Sequence, residues 1–122
     1  MTIKNNLQKI KNSLPKKVTL VAVSKTKPMD QIMPVLDEGH FHFGENKVQE
    51  AVLKWQELKE KNKAIYLHLL GPLQSNKVKK VFGIFDYIHS LDRNSLAEKI
   101  SDEVQKNGFC PKLFIQVNTG LE

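Results

Sequence analysis

The chain has 122 residues, 40% of them hydrophobic and 26% charged, which are the proportions of one globular domain with an ordinary core. A single cysteine, Cys110, excludes an internal disulfide framework, and no apolar run reaches the length of a membrane span or a signal peptide. The net charge is +6, but Arg93 is the only arginine, the residue that reads bases and phosphates in bidentate fashion. We therefore expect a cytoplasmic protein with solvated lysine faces, without a specific nucleic-acid partner and without a membrane partner.

The first predicted elements are a helix and a strand. Thr2 can cap the helix, Pro15 stops it, and one face carries an apolar stripe of Ile3, Leu7, Ile10 and Leu14. Residues 18–23 follow as a run of branched and apolar residues. Such a run predicts a strand that is buried on both faces, as in a parallel sheet covered by helices.

Lys25 follows this strand after a single serine. The carboxyl ends of parallel strands are where α/β folds place their chemistry, and alternation along the pleat puts Val21, Val23 and Lys25 on one face. We expect the Lys25 amine to emerge from an apolar surface, where burial and the neighbouring Lys27 both favour its neutral form. A neutral amine is the nucleophile that forms Schiff bases. An isolated lysine at the end of a strand more often only extends its ammonium group into solvent.

Four further strands are predicted, at residues 41–43, 65–70, 84–91 and 113–118. Helices separate them, with apolar stripes built around Ile32, Val48, Val78 and Leu96. Regular alternation of strand and helix predicts an α/β protein with parallel strands and right-handed crossovers. The pattern leaves open whether the sheet is a flavodoxin-like open sheet of five strands or part of a barrel, although length favours the open sheet because a closed eight-unit barrel usually needs about 200 residues. Glycine-rich phosphate-binding motifs, which many open sheets carry, do not follow the first strand.

Three sequence segments at the predicted strand ends form a specific combination. They are Ala-Val-Ser-Lys-Thr-Lys-Pro at 22–28, His-Phe-Gly-Glu-Asn-Lys-Val-Gln-Glu at 42–50 and His-Leu-Leu-Gly-Pro-Leu-Gln-Ser-Asn-Lys at 68–77. In this order they closely resemble the pyridoxal phosphate homeostasis proteins. Weaker matches at 89–92 and 116–119 fall where the fourth and fifth strands of that family would end.

The resemblance implies a parallel (β/α)8 barrel of the TIM-barrel type, like the N-terminal domain of alanine racemase. It also implies that pyridoxal phosphate is held as an internal aldimine on the lysine at the end of the first strand, which Lys25 matches. Lys27 is expected to help keep that amine deprotonated, and Asn46 is expected to line the cofactor pocket. The family consists of cofactor carriers and regulators of vitamin B6 and amino-acid pools rather than established catalysts, so we expect no turnover. No metal site is predicted, because His68 and His89 have no acidic or cysteine residue at ligand spacing.

Members of this family run to about twice this length and carry Gly-Met-Ser-x-Asp and Arg-Ile-Gly phosphate-binding segments that residues 1–122 lack. We therefore expect residues 1–122 to be one incomplete domain, the first five β/α units of the barrel after an N-terminal helix. The sequence predicts no oligomeric state for the longer protein, but the isolated chain of residues 1–122 is expected to self-associate.

Two other functions remain as alternatives. One is a pyridoxal phosphate-dependent enzyme such as an amino-acid racemase, which needs a second acid/base group on the opposite face of the cofactor. The other is a basic RNA-associated module, which the single arginine disfavours.

Overall fold

A computed structural model describes residues 2–120 of the chain. The strands are β1 (Ala22–Val23), β2 (His42–Glu45), β3 (Tyr66–Leu69), β4 (Tyr87–Leu91) and β5 (Lys112–Ile115). The helices are α1 (Ile3–Asn12), α2 (Met29–Asp37), α3 (Val48–Lys61), α4 (Val78–Val81) and α5 (Asn94–Asn107), and a 3-10 turn at Ser75–Lys77 precedes α4. None of the helices within residues 2–120 is long and apolar enough to cross a lipid bilayer.

The five strands form one sheet in which every strand pairs in parallel with its neighbour in sequence, in the order β1-β2-β3-β4-β5. A flavodoxin-like sheet instead places its first strand between the second and third. The flavodoxin-like alternative is therefore wrong, and the α/β prediction of a partial barrel is confirmed. Chain length misled on this point because the number of residues carries no information about strand order.

Strand β1 is much shorter than the predicted strand at residues 18–23. It pairs with β2 through only two residue pairs, Ala22 with Phe43 and Val23 with Gly44. Val23 is 52% exposed, because its face of the sheet carries no covering layer among residues 2–120. An unbroken apolar run predicts burial on both faces of the sheet. Here that inference is wrong for the face that carries Val23, which is the concave face opposite the helices.

Several element boundaries also differ from the prediction. The fourth strand begins only at Tyr87, and the fifth ends at Ile115 rather than at residue 118. The sequence also predicts Asp30 as the cap of the second helix and Pro34 near its first turn, but α2 begins directly after Pro28, so Pro34 lies well inside the helix. The predicted Thr2 cap is confirmed, because the Thr2 hydroxyl accepts a hydrogen bond from the backbone N–H of Asn5 at 3.1 Å.

The core lies between the convex face of the sheet and the helices. Strand residues Phe43, Leu67 and Ile88 are buried there, and Trp55 of α3 packs its ring 4.7 Å from that of Phe43. Burying aromatic and branched side chains in this layer supplies most of the favourable free energy of folding. Packing of α3 against β2 fixes the strand ends that carry the candidate site.

Strand β5 and the residues that follow it leave apolar side chains exposed on both faces of the sheet. Ile115 is 78% exposed and Val117 is 72% exposed, while Phe114 stacks on His89 at the concave face. The outer edge of β5 has no paired strand among the described residues. An apolar, β-prone edge is a template for pairing with another chain.

A polypeptide of residues 1–122 is therefore expected to form dimers or larger aggregates, and Ile115→Lys is expected to weaken this association by placing a charge at the edge. Sedimentation velocity over a concentration series measures both effects. Leu53→Lys is the matched control, since Leu53 is an 84% exposed apolar residue on α3, away from the sheet edge. A compact monomer at all concentrations for the unsubstituted chain would contradict the expectation.

Candidate functional site

Lys25 lies in a turn at the carboxyl edge of the sheet. The backbone N–H of Ser24 donates to the carbonyl of Gly44 at 2.9 Å, and the N–H of Lys27 donates to the carbonyl of Ser24 at 3.1 Å. These bonds close a four-residue turn that has Lys25 at its second position. The Lys25 residue is exposed and forms no ion pair within residues 2–120. Its predicted position at the end of a strand agrees with the structure, whereas its predicted emergence from a buried apolar surface does not.

Thr26, the next residue of the turn, has a left-handed backbone with φ of +62°. A β-branched residue is rarely found there, and the conformation costs about 1–2 kcal/mol. The Thr26 N–H donates to Oε1 of Glu50 at 2.7 Å. This hydrogen bond lowers the pKa of Glu50, with Lys54 acting in the same direction. A charge-assisted bond of this kind offsets the strain of the turn.

Glu45, the last residue of β2, is a fully buried carboxylate beneath the turn. The Ser24 hydroxyl and the Trp55 indole N–H both donate to its Oε2, the indole at 3.1 Å. The ammonium of Lys54 lies 3.1 Å from the same oxygen. Because a buried carboxylate is costly unless it is paired and hydrogen-bonded, this set of partners is what makes Glu45 tolerable in the core.

Lys54 connects the two carboxylates with the turn. Its Nζ donates to the backbone carbonyl of Ser24 at 2.8 Å and to Oε1 of Glu50 at 3.3 Å, in addition to Glu45. The two neighbours of Lys25 in sequence, Ser24 and Thr26, are therefore both held by charged residues. This network was not predicted from the sequence. Two features of the sequence could have indicated it: the i,i+4 spacing of Glu50 and Lys54, and a glutamate inside an apolar strand.

Asn46 follows β2 and is half-buried. A Cβ built on Gly71 would lie 2.4 Å from the Asn46 carbonyl oxygen, so Gly71 is the residue that permits this close approach of two backbones. Asn46 lines a groove of about 740 Å³ that opens at the carboxyl edge. The groove is also lined by Lys47, Gln49, Glu50, Gln74 and Lys77.

Lys25 and Asn46 thus lie at the ends of neighbouring strands, each two residues beyond the pair Val23 and Gly44. No hydrogen bond joins them in the described part of the chain. Lys27 is exposed and lines a smaller cavity beside β1 and α2. The predicted roles of Lys25, Lys27 and Asn46 toward a cofactor remain predictions.

The concave face of the sheet carries a chain of three histidines. Nδ1 of His42 lies 3.0 Å from Nε2 of His68, and Nδ1 of His68 lies 2.9 Å from Nε2 of His89. Burial, followed by the charges of the two flanking imidazoles, lowers the pKa of His68 to about 4. The Tyr87 ring stacks on His68 with 4.1 Å between centroids. Across residues 2–120 no group of three or more His, Cys, Asp or Glu side chains is arranged to hold a metal ion.

Sequence comparison supports the family that the motifs indicated. The profile described as alanine racemase, N-terminal domain, matches residues 1–122. The pyridoxal phosphate homeostasis protein of Vibrio alginolyticus is 41% identical over 88% of this chain and 47% of its own length. The protein of the same name from Pasteurella multocida is 38% identical, over the whole of this chain and 57% of its own length. The chain spans about half the length of the curated relatives it matches.

Comparison with solved structures supports the same family. PipY of Synechococcus elongatus, solved with pyridoxal phosphate bound, superposes with a TM-score of 0.92 at 40% identity, covering 99% of this chain and 57% of PipY. A protein of unknown function from Bifidobacterium adolescentis superposes with a TM-score of 0.85 at 30% identity, covering 98% of this chain and 56% of that protein. The resemblance identified from the three sequence segments is confirmed.

Proposed function

The chain belongs to the alanine racemase N-terminal domain family, and from that membership we propose that it is a pyridoxal phosphate-binding carrier or regulator in vitamin B6 and amino-acid homeostasis. In this proposal the Nζ of Lys25 forms the covalent bond to the cofactor, and Asn46 lines the pocket. The observation that supports it most strongly is the exposed Lys25, which has no ion-pair partner within residues 2–120 and is held in a fixed turn at the carboxyl edge of the sheet. PipY, which superposes on 99% of the chain, binds this cofactor.

The residues at this edge fit the chemistry of the cofactor. Pyridoxal phosphate carries an aldehyde, which needs an accessible primary amine, and an anionic phosphate, which favours a cationic surface. Lys25 supplies the amine, and no carboxylate in residues 2–120 lies within ion-pair distance of it. Lys47 and Lys77 line the groove beside Asn46. This edge therefore favours an anionic ligand.

A role without turnover agrees with the ionisable groups around the turn. Racemisation needs a second acid/base group free to exchange a proton with the substrate. Glu45 and Glu50 are both occupied by hydrogen bonds and by Lys54. The curated relatives are named as homeostasis proteins. The exposed thiol of Cys110 suits a reducing compartment, so we propose a cytoplasmic location.

Borohydride reduction tests the proposal. The protein at its natural length, mixed with pyridoxal phosphate and reduced, is expected to carry the label on the peptide that contains Lys25, because that amine is both accessible and fixed by the turn. Peptide mass mapping identifies the modified residue. A label found mainly on Lys47 or Lys77, with Lys25 unmodified, would remove the central assignment. Rapid exchange of the α-proton of alanine by the loaded protein would instead favour the racemase alternative.

A further inference from the structure

Glu50 contacts the turn that carries Lys25 from a different element of the fold. It lies in the first turn of α3, and its carboxylate accepts the N–H of Thr26 at 2.7 Å across 24 residues of sequence. Its side chain is about one-third exposed, so it contributes little to the hydrophobic core. Its contacts connect the Lys25 turn with the helix that packs on the sheet.

The conformation held by this contact is one that threonine rarely adopts. At φ of +62° the side chain of Thr26 crowds the following carbonyl, whereas glycine adopts the same conformation without cost. Without an acceptor for its N–H, Thr26 would favour an extended or right-handed backbone. Such a change alters the direction in which the preceding residue, Lys25, leaves the sheet.

The other side of the turn is held by a second charged residue. Lys54 binds the carbonyl of Ser24 and also lies 3.3 Å from Glu50, so one ammonium connects the two anchors. Glu45 in turn fixes Lys54 from within the core. Of the three charged residues, Glu50 is the one that contacts the strained residue directly, and its removal leaves the buried pair of Lys54 and Glu45 in place.

We propose that Glu50 is a positioning residue for Lys25: by holding Thr26 in the left-handed conformation, it fixes the turn that directs the Lys25 amine toward the carboxyl edge. This inference rests on the proposed function. When the aldehyde arrives, the lone pair of Nζ attacks the aldehyde carbon, a C=N bond forms, and the aldehyde oxygen leaves as water with the two amine protons. In this role Glu50 takes no part in forming the bond, and it acts on the geometry of the amine through Thr26.

Three variants of the protein at its natural length test this role: Glu50→Ala, Glu50→Gln and the double variant Glu50→Ala with Thr26→Gly. Each is mixed with pyridoxal phosphate, and two quantities are measured: total bound cofactor by dialysis and the fraction trapped by borohydride. Glu50→Ala is expected to lower the equilibrium constant for covalent attachment on the order of tenfold, the size associated with one lost hydrogen bond to a charged group. Glu50→Gln keeps an acceptor oxygen, so its equilibrium constant is expected to lie between those of Glu50→Ala and the unsubstituted protein.

The double variant separates positioning from a general structural effect. Glycine adopts the left-handed conformation without help, so Thr26→Gly is expected to restore at least half of the loss on a logarithmic scale. Glu57→Ala is the matched control, because Glu57 forms an exposed i,i+4 pair with Lys61 on the same helix, away from the turn. Its trapped fraction is expected to equal that of the unsubstituted protein.

The outcomes distinguish this inference from the proposed function. If Lys25→Ala abolishes trapping while Glu50→Ala leaves it unchanged, Lys25 binds the cofactor and the positioning role is wrong. If Lys25→Ala leaves trapping intact, the proposed function itself fails. A loss in Glu50→Ala that Thr26→Gly does not restore also overturns the role, because it shows an effect other than the conformation of Thr26. If Glu50→Ala does not fold, a trapped fraction in folded Glu50→Gln equal to that of the unsubstituted protein overturns it.

Discussion

Replacing Lys25 by alanine is expected to abolish the absorbance of covalently bound pyridoxal phosphate while leaving the fold intact. In the proposed function the Lys25 amine forms the C=N bond with the aldehyde, and the other amine of the turn, that of Lys27, lines a separate cavity beside β1 and α2. The cost to the free energy of unfolding is expected to be within about 0.5 kcal/mol, because Lys25 is exposed and unpaired in the described structure. Absorbance titration measures the first effect, and denaturant unfolding measures the second.

A second lysine variant tests whether the loss of absorbance is specific to Lys25. Lys61 lies in the last turn of α3 and, within residues 2–120, forms its one ion pair with the exposed Glu57. Lys61→Ala removes the same charge from the protein but is expected to leave cofactor absorbance unchanged. Equal losses in the two variants would show that the absorbance depends on overall positive charge and not on the Lys25 amine.

The features of the fold that sequence predicted well are those determined by short-range patterns. Alternation of apolar strands and amphipathic helices predicted all five strands, and Gly108 ends α5 with φ of +70°, as a glycine at that position indicates. The position of Lys25 followed from its place after an apolar run. These inferences need only the local periodicity of the chain and the chemistry of single residues.

The remaining features depend on contacts between distant parts of the chain. Val23 was expected to be buried because its neighbours are apolar, but exposure depends on which strands cover the concave face. Glu45 and Glu50 had no predicted partners, whereas their carboxylates accept hydrogen bonds from Ser24 and Thr26, at least 20 residues away. The requirement for Gly71 likewise comes from the backbone of Asn46. The periodicity within a single strand or helix carries no information about contacts between residues this far apart in the sequence.

The histidine chain on the concave face had no predicted function, and its main consequence is for stability. His68 is almost fully buried between His42 and His89, so its protonation in the folded state brings a charge into the sheet beside two imidazoles. Burial also lowers the pKa of His42 and of His89.

The free energy of unfolding is therefore expected to fall as the pH is lowered from about 6.5 to about 4. In this range the unfolded chain, whose histidines have a pKa near 6.5, binds a proton that folded His68, with a pKa of about 4, does not. The unfolded state binds more protons, so acid favours it. The full difference between the two pKa values corresponds to at most about 3 kcal/mol.

His68→Phe is the variant that measures this contribution. Phenylalanine keeps the stacking on Tyr87 and cannot titrate, so the fall in unfolding free energy between pH 7 and pH 4.5 is expected to be smaller than in the unsubstituted chain by about 2 kcal/mol. Urea unfolding at several pH values, in the Ile115→Lys background where self-association is expected to be weakest, gives the pH dependence of both proteins. Proton NMR of the imidazole C2 hydrogens reads the His68 pKa directly. Equal pH dependence in the two proteins, or a measured His68 pKa near 6.5, would show that the buried imidazole is not what weakens the fold in acid.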